Sequence, residues 1–106
     1  MPKYMMSVSL SLDGLRGTVK EGGTARRAVA EKAVKSAGGT LEGFYYAFGE
    51  TDVFAIADLA DNVAAAMVAT TIGASGVGSV KTTVLLTPEE VDAASKGSVE
   101  YRPPSS

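Results

Sequence analysis

The stretch GGTLEGFYYAFGETDVFAIADL, residues 38–59, consists of two apolar runs joined by a Gly-Glu-Thr-Asp turn, and its reading decides the fold. In the first run Glu42, Phe44, Tyr46 and Phe48 alternate with Leu41, Gly43, Tyr45 and Ala47. In the second, Val53, Ala55, Ala57 and Leu59 alternate with Asp52, Phe54, Ile56 and Asp58. Two period-two runs across a short glycine-containing turn read as a β-hairpin. Both arms carry bulky apolar residues on both sides, and a strand pair that is apolar on both faces needs cover on both faces.

Toward the N-terminus, residues 3–12 read KYMMSVSLSL, with Tyr4, Met6, Val8, Leu10 and Leu12 on one side and Met5, Ser7, Ser9 and Ser11 on the other. This alternation predicts a strand with one buried face. Asp13-Gly14 predicts a turn, and residues 17–23 a glycine-spaced connection with room for a short helix from a Thr18-x-x-Glu21 capping box. Glycines in a helix interior cost roughly 1 kcal/mol each against alanine, so Gly22-Gly23 set the secure start of the first long helix at Thr24. Within it Ala25, Ala28, Val29, Ala33, Val34 and Ala37 recur at three and four, while Arg26, Arg27, Glu31, Lys32 and Lys35 fall elsewhere, up to a Gly38-Gly39 stop.

Toward the C-terminus, Asp61 is an N-cap for an alanine-rich helix that Gly73 and Gly76 end. Residues 77–86, VGSVKTTVLL, predict a fourth strand. Thr87-Pro88-Glu89-Glu90 combines a threonine cap, a proline at the first helical position and a glutamate three residues after the cap, which predicts a short helix up to Gly97. Residues 98–106, with Pro103-Pro104, predict a flexible tail.

The resulting order is strand, helix, strand, strand, helix, strand and an appended helix. It predicts one α+β domain over residues 1–97, a ferredoxin-like βαββαβ sandwich with a four-stranded antiparallel sheet and two helices on one face. The other face of such a sheet is open in a monomer. Since the hairpin offers apolar bulk to both faces, sheet-to-sheet association into a homo-oligomer is expected. The competing expectation is that the appended helix covers this face within the same chain.

Composition narrows the chemistry. The 106 residues contain neither cysteine nor histidine, which excludes disulfides, thiolate or imidazole metal ligands, a Ser-His-Asp triad and imidazole acid–base catalysis within the chain. No cofactor and no metal are expected, although carboxylate-bound ions stay open. A net charge of −2 and no basic block beyond Arg26-Arg27 give no footprint for a nucleic-acid backbone. No run approaches the ~20 apolar residues of a membrane span, and the N-terminus lacks a signal peptide's apolar region, so a cytoplasmic location is expected.

MPKYMMSVSLSLDGLRG, EGGTARR, the hairpin stretch extended to Asp61, and TTVLLTPEE together resemble the GYD domain family. The resemblance runs from Pro2 to about Asp92 and is strongest at Gly38-Gly39, at residues 44–49, at Asp52-Val53 and at Thr87-Pro88-Glu89-Glu90. It implies membership of the dimeric α/β-barrel superfamily, hence a ferredoxin-like protomer in a dimeric assembly, and it implies no particular reaction. The chain departs from the pattern at Thr51, which stands where Gly-x-Tyr-Asp has its tyrosine.

With histidine and cysteine missing, tyrosine, carboxylate, lysine and arginine are the main groups left for polar recognition. Tyr46, Asp52 and Arg27 are the candidate ligand-binding residues, an aromatic wall, a carboxylate and a guanidinium at strand ends and a helix start. No catalytic residue is assigned. Against this site stand two plainer readings: Asp52 caps its turn, and Arg27 pairs with Glu31 one helical turn on. Three function classes follow: a small-molecule binder with an inter-sheet or sheet–helix cavity, a structural oligomer without ligand, and, implied by the superfamily resemblance through fold analogy alone, a cofactor-free isomerase or monooxygenase-like enzyme on a small aromatic or apolar substrate.

Overall fold

A computed structural model of the chain describes residues 1–104, so the last two serines of the expected tail lie outside the described residues. The elements are β1 (Lys3–Leu10), α1 (Leu12–Glu21), α2 (Gly23–Ser36), β2 (Thr40–Tyr46), β3 (Val53–Asp58), α3 (Asn62–Ala74), β4 (Gly78–Leu85) and α4 (Pro88–Ser95). The strands form one open antiparallel sheet in the order β2-β3-β1-β4, an α+β architecture compatible with the ferredoxin-like expectation.

The core lies between the sheet and helices α2 and α3. Tyr4 and Met6 of β1, Ala57 of β3 and Leu59 just beyond it meet Val34 of α2 and Ala64, Ala65 and Val68 of α3. Burying side chains of the size of Tyr4, Met6 and Leu59 stabilises the fold by about 1.5–3 kcal/mol each. The Tyr4 hydroxyl, on an almost fully buried side chain, donates to Asn62 Oδ1 at 2.7 Å, which offsets its loss of water. Asp61 caps α3 as the sequence predicts, its carboxylate accepting from the Ala64 N–H, and the alanines behind it let the helix lie close on the sheet.

Three local expectations are corrected. The strand expected to reach Leu12 ends at Leu10, and a ten-residue helix, α1, occupies the place of the Asp13-Gly14 turn and most of the loose connection. Ser11 explains the change: its hydroxyl accepts from the Gly14 N–H as an N-cap and also donates to the Gly76 carbonyl at 2.6 Å. Gly14 sits against the Val77 carbonyl, where a Cβ would collide, so tertiary packing outweighs its poor helix propensity. In β2 a register shift between Leu41 and Gly43 brings Leu41 to the helix side with Phe44, although strict alternation puts them on opposite faces. In α2 the residues that line the space over the sheet include Arg26, Ala30, Ala33 and Val34, with Val29 half-exposed at its rim, while Ala25 and Ala28 are exposed.

Helix α4 has the predicted capping box. Thr87 Oγ1 accepts from the Glu90 N–H and Glu90 Oε1 accepts from the Thr87 N–H, with Pro88 at the first helical position. All its residues are exposed and it makes few contacts with the body. The open sheet face is therefore not covered by α4 of the same chain.

Candidate functional site

Helix α2 packs over β2 and α3 over β4, leaving an apolar cleft of about 110 Å3 above β1 and β3. Its floor is Met6, Val8, Val53 and Ala55, its walls include Ala30, Ala33, Val68 and Ile72, and Leu41 and Phe44 close the β2 side. Arg26 is the one charged residue lining it. The Arg26 side chain is about 29% exposed, and Nη1 lies 3.6 Å from Glu21 Oε2 at the end of α1.

Outside this cleft, Gly23, Thr24, Arg27, Phe44 and Tyr46 line a shallow groove of about 330 Å3 at the start of α2. Phe44 lines both spaces, and its ring meets that of Tyr46 edge-on with centroids 5.3 Å apart. The Tyr46 ring covers Gly23 and its hydroxyl donates to the Gly23 carbonyl at 3.0 Å. Burial raises its pKa, with Arg26 opposing, so the phenol stays neutral at physiological pH.

Of the three residues proposed from sequence, Tyr46 and Arg27 thus share a groove whose lining does not include Asp52. Asp52 lies across the sheet end, where Oδ2 accepts from the Leu10 N–H at 2.7 Å and its own N–H donates to the Val8 carbonyl. Arg27 is largely exposed, with Nε 3.5 Å from Glu31 Oε1, the helical-turn pairing that competes with a ligand role. Arg26, not its neighbour, faces the apolar space. The signal was present in the spacing: Arg26 precedes Ala30, Ala33 and Val34 by four, seven and eight residues, one face of a helix.

The opposite sheet face carries cross-strand rows of Tyr45, Phe54, Ser7 and Lys81, then Gly43, Ile56, Met5 and Thr83, then Asp58, Lys3 and Leu85. Tyr45 and Tyr46 accordingly face opposite sides. Lys3 ends the apolar centre by bridging Glu42 and Asp58, and hydrogen bonds to these carboxylates raise its pKa. Among the described residues no cluster of carboxylates could hold a metal ion, and no helix is long and apolar enough to cross a membrane.

The family model of the GYD domain matches residues 4–95. The chain belongs to the GYD domain family. The match spans β1 through α4, so the GYD domain takes in the cleft, the open sheet face and the projecting helix together. No curated protein and no solved structure matches the chain.

Proposed function

We propose that this GYD-domain protein is a small-molecule binder that works as a homo-oligomer, with the ligand held between the helices and the sheet. The apolar cleft under α2 and α3 carries this reading: a cavity of about 150 Å3 in a protein interior accepts a benzene ring, and about 110 Å3 with an open side is of that order. Tyr46 and Arg27 border its outer approach through Phe44, and Asp52 anchors the strand end beside Leu10, another lining residue. In this reading the protomer is ferredoxin-like, and a second copy covers the open sheet face in an assembly of the dimeric α/β-barrel type. The exposed Tyr45 and the half-buried Met5, Phe54, Ile56 and Leu85 support that arrangement.

Binding ranks ahead of turnover because the residues lining the cleft include no acid–base group apart from an arginine that stays protonated. The test is a titration with 1-hexanol followed by methyl NMR. Saturable shifts at Val34, Val68 and Ile72 are expected; their absence up to the solubility of the alcohol ends the proposal.

A further inference from the structure

We infer that the cleft selects a small apolar acid, a single ring or short chain bearing one carboxylate, which pairs with the Arg26 guanidinium at its edge. The inference rests on the cleft being the ligand site and adds the class of ligand. A guanidinium is always charged, and the Arg26 side chain, about 29% exposed beside the apolar lining, offers a partly solvated cation to an anion that reaches the cleft edge. Its partner among the described residues is Glu21, at 3.6 Å, beyond the 2.7–3.2 Å of a good N–H···O bond. Glu21 is also about half exposed and sits on a different helix, so it holds Arg26 loosely.

The planar fork of arginine matches a carboxylate in a two-bond arrangement that Glu21 does not satisfy at this distance. The remaining lining is hydrocarbon, Phe44 and the Met6 thioether, which recognises apolar bulk and no second polar group. Size and charge therefore specify the ligand together: about 110 Å3 sets the ring or short chain, and one cation sets one anion. Arg27 serves as the internal control, since it is adjacent in sequence and of equal charge but lines the outer groove.

The experiment compares hexanoate with 1-hexanol at neutral pH by methyl NMR titration of the full chain. Hexanoate is expected to bind about tenfold more tightly, the scale of a charge-assisted hydrogen bond at a partly exposed site, and the preference should shrink with added salt. Arg26→Gln should bring the two ligands to similar affinity while 1-hexanol binding persists, which also reports that the variant is folded. Arg27→Gln should keep the preference, and Glu21→Gln should increase hexanoate affinity by freeing Arg26. Equal affinity in the unmodified protein, or a preference that survives Arg26→Gln, overturns the choice of ligand and leaves the binding site itself standing. Failure of both ligands to shift the cleft methyls overturns both.

Discussion

The Asp52 carboxylate accepts a hydrogen bond from the backbone N–H of Leu10, 42 residues earlier, and so fastens the end of β1 to the hairpin. The Leu10 N–H is partly buried, and removing its acceptor leaves a donor unpaired. Asp52→Ala is therefore expected to cost about 1–3 kcal/mol, and Asp52→Asn, which keeps an oxygen in reach, less than half of that. Urea denaturation of the two variants checks the ordering. Equal losses would mean that the carboxylate charge matters and the hydrogen bond does not.

Two glycines of α1 should respond to alanine with opposite signs. At Gly17 the nearest atom to an added Cβ is Glu21 Oε2 at 3.8 Å, so Gly17→Ala should stabilise by about 1 kcal/mol through helix propensity. At Gly14 the Cβ meets the Val77 backbone carbonyl, which itself accepts from the Ser11 N–H and cannot withdraw freely. Gly14→Ala should lose about 1–3 kcal/mol despite the same propensity gain. Thermal melts of both variants suffice, at roughly 4–8 °C per kcal/mol for a domain of this size.

Acid should loosen α4 before the body. Backbone and side-chain hydrogen bonds from Thr87 hold the Glu90 carboxyl below its ordinary pKa of 4.5. A depressed folded pKa contributes stability that is complete above the unfolded value and is lost as pH falls through the folded one. Amide exchange at Thr87 and Glu90 should thus accelerate below about pH 4.5, while the core amides of β1 and β3 keep their protection. In Glu90→Gln this acid step should vanish, and a step of unchanged size there would sink the explanation.

The open face should drive self-association. Ile56 and Met5 are direct cross-strand partners at its centre, flanked by the Lys3–Glu42–Asp58 cluster. Light scattering at micromolar concentration should give at least twice the chain mass, and Ile56→Lys should return it to that of one chain. A single-chain mass for the unmodified protein would be a direct contradiction. Truncation after Gly97 should leave the melting temperature within a few degrees, because residues 98–104 are exposed.

The sequence by itself determined the elements that rest on local rules. Alternation placed Tyr4, Met6 and Val8 on the buried side of β1; Asp61 and the Thr87–Glu90 box set the starts of α3 and α4; Gly38, at φ 83°, closed α2 in the left-handed conformation that glycine adopts without strain. Each of these depends on residues within about four positions of one another. What only the tertiary structure decided depends on distant partners. The helix at Leu12–Glu21 needs Gly14 to meet Val77 and Ser11 to reach Gly76, and the role of Asp52 needs the Leu10 N–H across the sheet. The inward turn of Arg26 needs α2 to sit over β2 at one rotation and no other. A hydrophobicity pattern weighs Arg26 and Arg27 as equal charges, whereas packing gives one of them the cleft and leaves the other to solvent, because only side chains on the helix face toward the sheet can reach the space beneath it.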